Sequence, residues 1–327
     1  MAEFVEDDMD FSAYMQETEV KTTVLPASSW RQQLKDSIRS RHKENRVFLP
    51  WQKVNPFFEF RDGEVTVWAG QNGHGKSQVT DMVKLSLMAQ GQKVGNASFE
   101  MKPVTNLRRM SRMTFGTNPF DEAYQSDEGM GLIDAMFDDF CDWTDGRLWV
   151  YNQTGTTDGA KVQAFVRYCA KELRLNHIFV DNLAKCVANE DDYNGQKHFI
   201  DAMCAIAADY RVHIHVVHHL KKPAKETDRP DKSDVKGSGS IIDQPDNLML
   251  VWRNKAKEDA MKEGRLGKEN EPDAMVYCKK QRNYEGNEDN EPSISLWMHK
   301  QSLQFLGAQH DGPMDLMVYP HPPNVYA

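Results

Sequence analysis

Three features of this 327-residue sequence predict an α/β protein, a mostly parallel sheet flanked by helices with an antiparallel extension. Short apolar runs alternate with helix-length amphipathic stretches from Val47 onward, and such alternation calls for crossover connections and therefore parallel strands. The first well-defined run, Glu64-Val65-Thr66-Val67-Trp68, enters a glycine-rich loop that opens a helix. The last three runs, 247–253, 274–280 and 293–299, follow one another without long helices between them, which suggests antiparallel pairing.

Taken in chain order, residues 1–28 are expected to be a disordered acidic tail. The formal net charge is −9, and Glu3, Glu6, Asp7, Asp8, Asp10, Glu17 and Glu19 face no Lys or Arg within the first 20 residues. Removing that tail leaves a nearly neutral body, so the acidic total does not exclude a local nucleic-acid surface. Residues 29–46 read as a linker helix whose Trp30, Leu34 and Ile38 make a narrow apolar stripe in want of a partner.

The core is expected over 47–306, with strands at 64–69, 93–98, 147–151, 177–181 and 212–217. Helices are expected at 77–90, 158–174 and 195–210, with a helical region from 103 to 143. Residues 307–327 carry Pro313, Pro320, Pro322 and Pro323 and read as an extended tail. Five cysteines without a C-x-x-C pair or zinc spacing read as reduced thiols. With no apolar run of about 18 residues and no signal pattern, the expectation is a soluble, cytoplasmic protein without a membrane partner.

Gly70-Gln71-Asn72-Gly73-His74-Gly75-Lys76-Ser77 is a complete G-x-x-x-x-G-K-[ST] loop placed between a strand and a helix, as phosphate binding requires. The glycines let backbone N–H groups crowd around phosphates, Lys76 reaches the β- and γ-phosphates, and the Ser77 hydroxyl holds Mg²⁺. The helix that follows aims its positive dipole end at the anion. ATP, or another nucleoside triphosphate, with Mg²⁺ is therefore the expected cofactor.

Strand 177–181 ends in Asp181, the expected metal-side carboxylate. Strand 93–98 leads into Glu100 at the sheet edge where ligands of open α/β sheets bind, which makes Glu100 the general-base candidate rather than a solvated strand-end residue. Strand 212–217 runs into His218 and His219, either of which can contact a γ-phosphate and report its presence to the following loop.

The ordered motifs GQNGHGKS, SFEM, IFVDN, VVHHLKKP, VKGSGSIIDQPDNLMLVWRN and KKQRN resemble the RecA-like core of the hexameric replicative DNA helicases of superfamily 4. The nearest types are the bacterial DnaB C-terminal domain and the helicase domain of phage primase-helicases. This resemblance implies an ATP-driven helicase or translocase that moves 5′ to 3′ on single-stranded DNA at a replication fork in a bacterial or phage-infected cell. It implies Glu100 as the catalytic glutamate, Asp181 as the metal-associated aspartate and His219 as the sensor. It also implies Arg282 and Lys280 as cations that reach a neighbouring subunit's nucleotide in a hexameric ring.

The segment after the sensor strand closes in Lys236-Gly237-Ser238-Gly239. Glycine and serine beside a cation suit a backbone-gripping loop, and the resemblance assigns this region to the DNA channel. By composition alone, with Glu226, Asp228, Asp231 and Asp234 interspersed, it reads as a solvated loop. No primase module precedes the core, so a separate primase, loader or polymerase is the expected partner. Two other readings stay open: a RecA-like DNA-binding ATPase without unwinding activity, such as a recombination mediator, and a small-molecule kinase. The charged stretch from Lys255 to Pro272 has no assigned role.

Overall fold

The computed structural model describes residues 46–189, 191–222, 225, 227–283 and 292–317, with Ser28, Arg31, Gln32, Lys35 and the backbone of Glu3–Val5. Among the described residues, ten strands form one sheet. They are β1 (Glu3–Val5), β2 (Val65–Gly70), β3 (Val94–Ser98), β4 (Leu148–Tyr151) and β5 (His177–Asp181). The remainder are β6 (His213–His219), β7 (Asn247–Arg253), β8 (Ala274–Gln281), β9 (Ser293–His299) and β10 (Gln304–Leu306).

The order across the sheet is β1-β4-β3-β5-β6-β2-β7-β8-β9-β10. Every pair from β1 to β7 is parallel, and the β7–β8, β8–β9 and β9–β10 pairs are antiparallel. The architecture is the expected one, but β7 joins β2 in parallel, so the antiparallel extension begins at β8.

Seven helices are described: α1 (Lys76–Ala89), α2 (Pro103–Phe115), α3 (Asp127–Thr144), α4 (Gly159–Lys171), α5 (Tyr193–Tyr210), α6 (Ser240–Asp243) and α7 (Lys255–Lys262). Strand alternation sorts the core into two layers. Val65, Val67, Ile178, Val180, Ile214 and Val216 pack with Phe165, Phe199 and Met203 of α4 and α5. Trp68, Phe179, Val217 and Met249 pack on the other face with Met82, Val83 and Leu85 of α1 and Met110 of α2. Burial on both faces explains why these strands read as apolar runs rather than as alternating ones.

Three local expectations are corrected, and the charged stretch left without a role gains a helix. The helical region 103–143 is broken, because Gly116 adopts φ +68° at the end of α2 and Pro119 follows in the connection. Within the tail expected to be disordered, Glu3–Val5 adds a parallel strand to the edge of β4, where Phe4 and Val5 have the residue types strands favour. The charged stretch 255–272 holds α7, capped by Asn254, whose Oδ1 accepts from the Lys257 N–H at 3.0 Å. The three-residue β10 has no counterpart in the expected strands.

Arg31, Gln32 and Lys35 are helical, while the rest of the expected linker helix before Arg46 and the rest of the tail lie outside the described residues. Residues 307–317 contain no helix or strand and return Leu316 to the core, and 318–327 lie outside the described residues.

Candidate nucleotide and DNA site

The register of the sheet brings the carboxyl ends of four strands together. Gly70 at the end of β2 pairs with His219 of β6, and Ser98 of β3 pairs with Asp181 of β5. The ligand edge of an open parallel sheet is thus built from the loop after β2, the turn after β3 and the ends of β5 and β6.

The loop has the shape a phosphate cradle demands. Gly73 and Gly75 adopt φ +75° and +82°, which L side chains rarely do. A Cβ on Gly70 would lie 2.7 Å from the Val251 carbonyl oxygen and 2.9 Å from Lys76 Cγ, so backbone approaches the site where a side chain would block it. The Lys76 ammonium donates to the Gly70 and Gln71 carbonyls at 2.9 and 3.1 Å and lies 3.3 Å from His219 Nδ1. Burial lowers its pKa, a drop opposed by Asp181 and Glu100.

The loop is also braced from behind. Arg253, at the end of β7, donates from Nη1 to the Gly73 carbonyl at 2.9 Å and from its backbone N–H to His74 Nδ1 at 3.3 Å. His74 is therefore turned into the protein, and burial lowers its pKa to about 4, so it is neutral near pH 7. Gln71 Nε2 donates to the Lys221 carbonyl, and Asn72 is exposed.

Ser77 and Asp181, the two residues that would hold a divalent cation, meet directly. Ser77 Oγ donates to Asp181 Oδ2 at 2.9 Å, while the buried Asp181 Oδ1 has no hydrogen-bond partner. Burial raises the Asp181 pKa, and Lys84 is the main opposing charge. Among the described residues, no cluster of three or more His, Cys, Asp or Glu side chains is arranged to hold a metal by itself. An orphaned carboxylate oxygen beside a hydroxyl fits Mg²⁺ brought with a nucleotide.

Asn182 joins the remaining groups. Its Nδ2 donates to Glu100 Oε1 and lies 2.8 Å from His219 Nε2, and Glu100 Oε1 is 3.6 Å from that same nitrogen. The nearby His219 ring is the main influence lowering the Glu100 pKa, with Lys76 and the Asn182 amide acting in the same sense, so Glu100 is a carboxylate at neutral pH. Lys76, Ser77, Glu100, Asp181 and His219 are thus gathered at one edge.

Lys280 and Arg282 are not gathered there. Leu248 at the start of β7 pairs with Lys280, whereas Val251 near its end pairs with Gly70, so the two cations sit toward the opposite edge of the sheet. Lys280 Nζ donates to the Ile242, Asp243 and Pro245 carbonyls at 2.8, 2.6 and 2.7 Å. Arg282 Nη2 donates to the Asp243 and Gln244 carbonyls at 3.0 and 2.8 Å.

Lys236–Gly239 lies beside the end of β6. Lys236 N–H donates to the His219 carbonyl at 3.1 Å, and Ser238 N–H donates to Oε1 of the buried Gln196 at 2.9 Å. Gly237 adopts φ +95°, and a Cβ there would stand 2.2 Å from Gln196 Oε1. Asn182, Arg253 and Gln196 were not among the candidates drawn from the sequence, although Asn182 directly follows Asp181 in IFVDN and Arg253 ends the apolar run of β7.

Among the described residues no helix is long and apolar enough to cross a membrane. Solved structures share the RecA-like fold. One, an ATPase domain, aligns with a TM-score of 0.72 at 15% identity, covering 88% of this chain and 100% of that one. A DnaB-like replicative helicase, studied with its interactions with primase, aligns with a TM-score of 0.68 at 15% identity, covering 87% of this chain and 67% of that one. The sequence profile of the DnaB-like helicase C terminal domain matches residues 56–301, most of the chain, and the chain belongs to that family.

Proposed function

We propose that this protein hydrolyses ATP, or another nucleoside triphosphate, to move along single-stranded DNA as a ring of identical subunits. The observation that carries the reading is the convergence of Lys76, Ser77, Glu100, Asp181 and His219 on one sheet edge in a DnaB-like domain. Lys76 and the loop N–H groups hold the phosphates, and Ser77 and Asp181 hold Mg²⁺, which when bound neutralises phosphate charge. Glu100 accepts a proton from the attacking water, with Asn182 fixing its orientation. His219 contacts the γ-phosphate and senses its loss.

Arg282 and Lys280 serve the nucleotide of the next subunit, where an arginine in trans stabilises charge on the transferred phosphoryl group. Their position toward the edge away from their own phosphate loop supports this assignment. Residues 47–306 form the ATPase unit, 29–46 link it to its neighbour, and Lys236, Gly237, Ser238 and Gly239 grip DNA in the channel. The ring is a hexamer moving 5′ to 3′ at a replication fork in the cytoplasm of a bacterial or phage-infected cell. A separate primase, loader or polymerase works with it.

A second reading, a RecA-like ATPase that assembles on DNA without unwinding it, draws support from β1, since an N-terminal strand able to add to a sheet edge is what a filament needs. Steady-state ATP hydrolysis with and without single-stranded DNA, on a preparation sized by light scattering, tests the proposal. DNA-stimulated turnover by a nucleotide-dependent closed ring is expected. DNA-insensitive turnover by a monomer would overturn the motor reading.

A further inference from the structure

His218 and His219 are consecutive on β6, and adjacent strand residues face opposite sides of a sheet. His219 faces the α1 side, toward Lys76 and Asn182. His218 lies on the side of Ile214 and Val216, packed with α4 and α5, where its Nε2 is 2.6 Å from the Lys236 carbonyl. A carbonyl only accepts, so Nε2 carries the proton and donates. His218 is 2% exposed, and its Nδ1 is buried without a partner.

Burial, the largest influence, lowers the His218 pKa to about 4, so the ring stays neutral and holds one hydrogen bond at physiological pH. That bond reinforces two backbone links, Lys236 N–H to the His219 carbonyl at 3.1 Å and the antiparallel bridge between Leu220 and Val235. One strand end therefore presents one histidine to the phosphate loop and the next to the start of Lys236–Gly239.

We propose that His218 is a positioning residue that couples the nucleotide site to the Lys236–Gly239 loop, through its Nε2–H bond to the Lys236 carbonyl. A shift of the β6 end when the contact at His219 changes is transmitted to the loop without an intervening flexible element. The inference rests on the reading of that loop as a DNA contact. It assigns a function to the histidine that faces away from the nucleotide.

The test is a titration of labelled oligothymidylate onto the full chain, once with a non-hydrolysable ATP analogue and once with ADP. Wild type is expected to show an affinity ratio of about tenfold between the two nucleotides, within the usual range of coupling. His218→Leu, which keeps bulk but lacks a donor, and His218→Asn, which is too short to reach the carbonyl, should each bring the ratio within about twofold of unity. His218→Gln, whose amide replaces the Nε2–H, should keep it.

Wild-type ratios in both His218→Leu and His218→Asn would overturn the proposal, as would a His218→Gln ratio as low as theirs, because shape rather than the donor would then matter. If His218→Leu does not fold, the contrast between Gln and Asn decides. Lys236→Ala separates the two levels of inference. Wild-type DNA affinity in that variant would remove the DNA-loop reading and the coupling with it, whereas weakened DNA binding there with unaltered His218 variants would remove the coupling alone.

Discussion

Asn182 Nδ2 lies 2.8 Å from His219 Nε2, tying the residue after β5 to the last residue of β6. The same amide donates to Glu100, so one side chain fixes the spacing of the general-base and sensor candidates. Asn182→Ala should lower kcat by about 100-fold, the scale of penalty for a misplaced reacting group, while leaving the nucleotide Kd within a few-fold. Steady-state kinetics and fluorescent-nucleotide titration give the two numbers. An unchanged kcat would remove Asn182 from the site.

Arg282→Ala should preserve nucleotide binding and reduce turnover by about 10³-fold, as expected for a lost arginine finger. Glu100→Gln should be inactive as well. Mixing the two variants creates interfaces that carry an intact Glu100 opposite an intact Arg282, and partial activity should return. Complete inactivity at every mixing ratio would argue against a site shared between subunits.

Gly237→Ala forces a side chain into a backbone with φ +95° and against Gln196. The strain, about 1–3 kcal/mol, should be relieved by releasing the loop rather than by unfolding the core. Single-stranded DNA should bind about tenfold more weakly, and limited proteolysis should cut near residue 237. A wild-type proteolytic pattern with unaltered DNA affinity would contradict this.

Acid should destabilise the protein well above the carboxylate range. Trp68 Nε1–H donates to His215 Nδ1 at 3.2 Å, so His215 Nε2 carries a proton and donates to His177 Nδ1 at 3.1 Å. His213 donates from Nδ1 to the Arg61 carbonyl at 2.6 Å and accepts from the Thr66 hydroxyl at 2.8 Å. All three rings are neutral and buried, and burial lowers the pKa of each, that of His213 to about 4 from an ordinary 6.5.

The unfolded chain therefore binds more protons below pH 6.5, and the stability these rings contribute is complete above that pH. It falls as pH drops from 6.5 toward 4, by roughly 1 kcal/mol per pH unit for each ring still neutral when folded. Burial raises the Glu64 pKa, which works in the opposite sense, but it does so from the carboxylate end of the scale. The thermal midpoint should fall between pH 7 and pH 5. A flat profile over that span would contradict the assignment.

The parallel core was legible because its strands are buried on both faces and read as apolar runs, so His177–Asp181 and Asn247–Arg253 carry the expected bounds, as does the antiparallel, half-buried Ser293–His299. The placement of the G-x-x-x-x-G-K-S loop and of Asp181 at strand ends was legible because each directly continues an apolar run. The bracing of His74 by Arg253 was not, since it joins residues about 180 positions apart. Nor were the Lys280 and Arg282 contacts, most of which go to carbonyls of Ile242–Pro245 and so depend on backbone path, with the Asp246 carboxylate 3.4 Å from Arg282 Nη1. The histidine pair shows the limit well, for sequence places both at a strand end, and only the packing of each sheet face says what each one meets.

Phe305 of β10 would touch a Cβ at Gly75, its N–H meets Met82 Sδ at 2.9 Å, and its carbonyl accepts from Trp51 Nε1 at 2.7 Å. The backstop of the phosphate loop is therefore supplied by a segment translated more than two hundred residues after it. A ribosome-bound chain that already contains residues 70–77 still lacks the surface against which that loop is seated, so the loop cannot take its final setting until residues 303–306 have been made. A chain stalled before that point would retain the entire motif and lack the support that shapes it.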